Sequence, residues 1–181
     1  MGNIDLVQLT EETKKLTAMV VEDEKVTNEL LSSTFKNFFS NVSSCFDGEE
    51  ALAMYEKNVP DVVFVDIVMS GMDGIELSRQ IRQHNPSQII IVISASNDIE
   101  KISQSIEVGV NSFIQKPIDT KKIIELLTSI VTMISKKKKV ETKTFSISLP
   151  LDIYETVNSN AKAESISKNA VIIRALRDFY E

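Results

Sequence analysis

A chain of 181 residues, 43% of them hydrophobic and 25% charged, has an ordinary globular composition and room for one large domain, or a medium one plus a small one. Its single cysteine, Cys45, excludes an intrachain disulfide and favours a reducing compartment. The net charge of −6 is unevenly spread: residues 1–134 hold 11 basic and 20 acidic side chains (net −9), residues 135–181 hold 9 and 6 (net +3), so the back of the chain has the sign that suits a polyanion.

Residues 1–15 form an N-terminal extension that is either a helix or unstructured. They carry Asp5, Glu11 and Glu12 and lack the apolar segment of a signal peptide. Met1-Gly2 opens like a myristoylation site, but Leu6 stands where Ser or Thr is required. Residues 16–21 read as a buried strand and residues 27–39 have helical spacing. Residues 42–46 form a weaker strand around Cys45, whose thiol reads as a small buried side chain. Asp47-Gly48 turns into a helix over 49–57, and Pro60 leads to a strand over 62–65 that ends at Asp66. Gly71 and Gly74 mark a loop before a helix over 75–84, with His84, the only histidine, near its end and assigned no role. Residues 89–93 are the most apolar strand, residues 99–108 a helix stopped by Gly109, and residues 112–115 a short strand before Pro117. Asp119 caps a last helix running to about Ile134; its apolar part, 123–134, is too short to span a bilayer and contains Glu125. A soluble cytoplasmic protein without membrane contact is expected.

Five βα units in a row, with strands that are continuous apolar runs, predict an α/β domain over 16–134: a doubly wound, five-stranded parallel sheet with helices on both faces. Residues 135–141 read as a lysine-rich linker or the frayed end of a helix. Residues 142–181 follow a different grammar, one short strand to Leu149 and two helices, over 151–163 and 167–180.

In such folds chemistry lies at the carboxyl ends of the strands. Glu22 and Asp23 end the first, Asp66 the third, and Ser94-Ala95 the fourth, while Lys116-Pro117 follows the fifth. Three converging carboxylates repel one another and call for a cation, and an all-oxygen, incomplete shell suits Mg²⁺. A carboxylate beside a metal can accept a phosphoryl group, whose oxygens an ammonium and a hydroxyl would then bind. The motifs Val21-Glu22-Asp23-Glu24, Phe64-Val65-Asp66-Ile67-Val68-Met69-Ser70-Gly71-Met72-Asp73-Gly74, Ile93-Ser94-Ala95 and Phe113-Ile114-Gln115-Lys116-Pro117 resemble the receiver domain of bacterial response regulators. The resemblance covers residues 16–134. It implies that Asp66 takes a phosphoryl group from a sensor histidine kinase. It implies Mg²⁺ held by Asp23, Asp66 and the backbone carbonyl of Val68, with Glu22 acting mostly through water. Lys116 and the Ala95 amide would contact the phosphoryl group, Ser94 would be the switch hydroxyl, and Phe113 the aromatic whose rotamer follows it. Ser70 departs from the pattern, since the family usually has proline after the methionine of this loop; the change is expected to loosen the loop but removes no ligand. Val68 and Ser96 flank the site and are expected to tune the lifetime of the phosphate.

In the tail, Phe145, Ile147 and Leu149 alternate with Thr144, Ser146 and Ser148. One strand cannot stand alone, and some 40 residues are few for a core, so two chains pairing their strands would solve both problems. The alternation, Ser148-Leu149-Pro150 before a helix, and Ser167-Lys168-Asn169 opening an Ile-Ile-Arg-Ala-Leu-Arg helix resemble the ribbon-helix-helix family of dimeric DNA-binding proteins. That resemblance implies a homodimer whose Thr144, Ser146 and Ser148 face base edges of double-stranded DNA, with Ser167, Lys168 and Asn169 on a phosphate and Lys143 adding salt-sensitive attraction. The outward face lacks Arg, Asn or Gln. The expected whole is a phosphorylation-controlled transcription regulator rather than a turnover enzyme. Its alternatives are a protein-interaction regulator whose tail only dimerises or holds a protein partner, and an acidic-pocket phosphotransferase or phosphatase of another α/β family.

Overall fold

The computed structural model describes residues 6–95, 98–140, 150–164, 167–168, 171–172, 174–175 and 178. They fall into two compact units, divided between Glu141 and Thr142.

The first unit is built on strands β1 (Thr17–Val21), β2 (Asn41–Cys45), β3 (Val62–Val65), β4 (Ile89–Ser94) and β5 (Ser112–Gln115). They pair in parallel in the order β2-β1-β3-β4-β5. Every residue of β3 and β4 is buried, as expected of strands covered on both faces. The period of two splits their side chains between two cores. Ala18, Val20, Phe64 and Ile91 face α2 (Lys25–Phe35) and α6 (Thr120–Val140), whose Leu127 and Ile130 are buried among them. Phe35 stacks on Phe64 with ring centroids 4.2 Å apart. Met19, Val63, Val65 and Ile90 face the other way, toward Ala51 and Tyr55 of α3 (Gly48–Lys57) and Leu77 and Ile81 of α4 (Gly74–His84). Helix α5 (Ile99–Val108) packs beside α4 and ends at Gly109, whose φ of 83° only glycine adopts freely. Asp47, Asp73 and Asp98 cap α3, α4 and α5 with their carboxylates, and Asp119 accepts from the Lys122 amide at the start of α6.

Residues 6–13 form a helix, α1 (Leu6–Thr13), one of the two states the sequence left open for the extension; it packs on α6 and buries Leu9 in the first core. Two helix ends differ from the sequence expectations. Helix α2 stops at Phe35, where the chain turns through Phe38 and Phe39 with both amides on the Phe35 carbonyl. Phe39 nevertheless stays buried, which is why the apolar pattern extends beyond the helix. Helix α6 continues to Val140 rather than ending near Ile134, since lysine is a good helix former.

The second unit contains α7 (Leu151–Ala163), at the predicted position, and helical residues at 168, 171–172, 174–175 and 178. Ala161 and Val171 are buried within it, and Arg174 forms a two-pronged ion pair with Glu164 at 2.6 and 2.7 Å. The predicted strand to Leu149 lies outside the described residues.

Candidate functional site

The strand order reverses its direction of growth at β1, which has β2 on one side and β3 on the other, so a crevice opens at the carboxyl ends of β1 and β3. The register pairs Val21 with Val65, which brings Glu22 and Asp66 to the same edge. Their backbones continue the ladder: the Asp66 amide donates to the Val21 carbonyl at 3.0 Å, and the Glu22 amide to the Cys45 carbonyl at 3.2 Å. Ser94 ends β4 beside them, and the Lys116 amide donates to the Ser94 carbonyl at 3.0 Å.

The side chains converge on Asp66, which is only 7% exposed. Its Oδ1 accepts from the Ser94 hydroxyl at 2.6 Å and from the Val68 amide at 3.1 Å. Its Oδ2 accepts from Lys116 Nζ at 2.6 Å, and the same ammonium lies 2.5 Å from Glu22 Oε2. Burial pushes the Glu22 carboxyl above the usual range; Lys116 pulls it down, while the charges of Asp66 and Asp23 push it further up. For Lys116 burial acts to lower the pKa, but its hydrogen bonds and charge attraction to Asp66 and Glu22 prevail and raise it. This lysine therefore stays charged between its two carboxylates.

The other predicted residues have distinct surroundings. Asp23 accepts from both the amide and the hydroxyl of Ser70, at 2.9 and 3.2 Å. Ser70 thus pins its loop, contrary to the expectation that it loosens it. Among the described residues no three acidic, histidine or cysteine side chains are gathered into a preformed metal cage. Asp23 is turned to Ser70, while Glu22 and Asp66 share Lys116. Phe113 is half-buried against the second core, Ala95 and Val68 are exposed, and Ser96 lies outside the described residues.

Two supports were not anticipated from the sequence. Asn28 on α2 is fully buried; its amide donates to the carbonyls of Glu22 (2.9 Å) and Cys45 (2.7 Å), and its oxygen accepts from Ser32 and Ser44. It fixes the turn that carries Glu22 and Asp23. Its signal is a polar residue on the apolar face of an amphipathic helix. Gly74 opens α4 directly under the acceptor strand: a Cβ there would stand 2.0 Å from the Asp66 carbonyl oxygen.

The model of the response regulator receiver domain matches residues 18–128. The chain belongs to the response regulator receiver family. A cyclic di-GMP phosphodiesterase of Thermotoga maritima is 36% identical over 117 residues, 65% of this chain but only 30% of that protein. The chain therefore spans under a third of that relative's length. The N-terminal domain of an uncharacterized protein from Wolinella succinogenes superposes with a TM-score of 0.63 at 32% identity, covering 68% of this chain and 99% of that one. The Francisella response regulator 1452 receiver domain does so with a TM-score of 0.59 at 25% identity, covering 66% and 99%. Receiver domains are typically the phospho-acceptors of two-component systems. None of its described helices is long and apolar enough to cross a membrane.

In the second unit, the predicted DNA contacts Lys143, Thr144, Ser146, Ser148 and Asn169 lie outside the described residues. Ser167 and Lys168 are exposed, but Lys168 Nζ donates to the Tyr154 hydroxyl at 2.7 Å and sits 4.5 Å from the centre of that ring.

Proposed function

We propose that Asp66 is the phosphoryl acceptor of this receiver and that the tail converts its state into DNA binding. The observation that carries the first half is the buried Asp66 carboxylate, with a hydroxyl on one oxygen and an ammonium on the other. An Asp66 oxygen attacks the phosphorus, the bond to the donor's leaving group breaks, and an aspartyl phosphate results. Lys116 and Ser94 then transfer their hydrogen bonds to phosphoryl oxygens, joined by the Ala95 amide. Ser94 donates to Asp66 Oδ1 at 2.6 Å, within a short displacement of a phosphoryl oxygen carried by that carboxylate. The switch in this reading is that displacement of Ser94, with Phe113 filling the space behind it.

Receiver domains generally bind Mg²⁺ at this site, and the oxygen-only donor set fits it: the carboxylates of Glu22, Asp23 and Asp66, together with the Val68 carbonyl. When bound, the ion neutralises charge on the transferring phosphoryl oxygens. Lys116 holds Asp66 Oδ2 and offsets the negative charge that Asp66 and Glu22 bring to the pocket.

For the output, the support is the alternating sequence pattern at 144–149, the lysine run 136–139 that precedes it, and Leu151, Ile153 and Tyr154, which are exposed on α7. Pairing of two tails would cover these side chains, presenting Thr144, Ser146 and Ser148 to base edges and Lys143, Ser167, Lys168 and Asn169 to phosphates. The test is binding of the purified chain to genomic DNA fragments, with and without acetyl phosphate. Expected is a complex that weakens steeply with salt and responds to the phosphodonor, and whose response is lost in Asp66→Asn. Absence of binding under either condition would leave the tail as a dimerisation or protein-binding module.

A further inference from the structure

The loop after β3 is held by a carboxylate at every second amide. The Val68 amide donates to Asp66 Oδ1 at 3.1 Å, the Ser70 amide to Asp23 Oδ2 at 2.9 Å, and the Met72 amide to Glu49 Oε1 at 3.2 Å. Ser70 gives the same Asp23 oxygen a second donor, its hydroxyl, at 3.2 Å. Gly71 follows with a φ of 73°, and a Cβ there would lie 3.3 Å from both Glu49 carboxylate oxygens. The loop thus runs on a narrow path between the end of β1 and the first turn of α3. A proline at position 70, the residue usual in the family, has neither an amide hydrogen nor a hydroxyl and would give Asp23 nothing.

We propose that Ser70 is a positioning residue for Asp23, holding one carboxylate oxygen through two hydrogen bonds and leaving the other for a divalent cation. The inference rests on the reading of Asp23 as a Mg²⁺ ligand. Mg²⁺ demands regular octahedral geometry and keeps several waters, a demand met best by a carboxylate that offers a single oxygen in a fixed direction. Hydrogen-bond partners of a ligating carboxylate set its orientation, and their loss typically weakens metal binding ten- to a hundredfold. Ser70 is thereby a determinant of cation affinity in this chain.

The experiment titrates MgCl₂ calorimetrically into the full chain and its Ser70→Thr, Ser70→Ala and Ser70→Pro variants, with thermal unfolding in EDTA as a second readout. Ser70→Thr keeps both donors and should bind Mg²⁺ as the unaltered chain does. Ser70→Ala keeps only the amide and should bind more weakly, and Ser70→Pro weaker still, by about tenfold. Unfolding temperatures in EDTA should not follow that order. Equal affinity of the unaltered chain and Ser70→Pro overturns the inference, as does a loss of affinity that parallels loss of stability across the series. Should Ser70→Pro fail to fold, the order of the Thr and Ala variants decides. Absence of Mg²⁺ binding by the unaltered chain overturns both this inference and the reading of the metal site, whereas an insensitive Ser70 overturns this inference alone.

Discussion

Glu22 shows how a receiver pocket trades stability for chemistry. It is 3% exposed, close to two other carboxylates, and partnered by a lysine that also serves Asp66. Burial and like charge outweigh Lys116, so its charged form is disfavoured relative to the neutral one. A carboxyl with a raised pKa binds its proton more tightly in the folded chain than in the unfolded one. Folding stability therefore falls as pH rises from the ordinary carboxyl value through the higher folded one. Glu22→Gln removes this loss. The variant should be more stable than the unaltered chain at neutral pH, with the gap closing in acid, where Glu22 is protonated anyway; denaturant midpoints across the pH range measure this. Loss of a pocket oxygen should at the same time weaken Mg²⁺ binding. Cys45 illustrates the inert counterpart. Burial, with Glu50 and Asp47 adding negative charge, pushes its thiol up to about 12, so no useful thiolate exists near neutrality. Iodoacetamide should label Cys45 only under unfolding conditions, and rapid labelling of the native chain would contradict its placement.

The helices and strands were legible because their signals are local. Continuous apolar runs marked β3 and β4, and Asp119 and Gly109 stand at a helix start and a helix end where capping and left-handed backbone require them. The pocket was legible for the same reason, since Glu22, Asp66, Ser94 and Lys116 each sit at the end of such a run. What could not be read were contacts between segments distant in sequence. The bond from Ser70 to Asp23 crosses 47 residues, and Asn28 reaches a carbonyl 17 residues away. Nor does any local pattern in residues 6–13 reveal that Leu9 docks into the first core. Gly74 was visible as a loop glycine, but its reason, the close approach of α4 to the Asp66 carbonyl, exists only in the fold. A Cβ there meets backbone rather than a yielding side chain. Gly74→Ala should cost about 3 kcal/mol, at the upper end of overpacking penalties, and slow phosphoryl uptake by shifting Asp66. Unaltered stability in a denaturant titration would contradict the close approach.

At the scale of the whole molecule, the chain forms two compact units, divided between Glu141 and Thr142. The basic excess of residues 135–181 lies in the lysine run 136–139 at the end of α6, whereas residues 142–181 hold five basic and five acidic side chains, so any attraction to a polyanion falls on the helix that leads into the second unit. The roles of Lys116, Ser94 and Phe113 all depend on where the phosphoryl group goes. The direct measurement is to incubate the full chain with Mg²⁺ and acetyl phosphate, reduce the acyl phosphate with borohydride, and map the peptides by mass spectrometry. Reduction of an aspartyl phosphate leaves homoserine in its place. Homoserine is expected at position 66 and at no other aspartate; homoserine at position 23 or 73, with Asp66 intact, would contradict Asp66 as the acceptor.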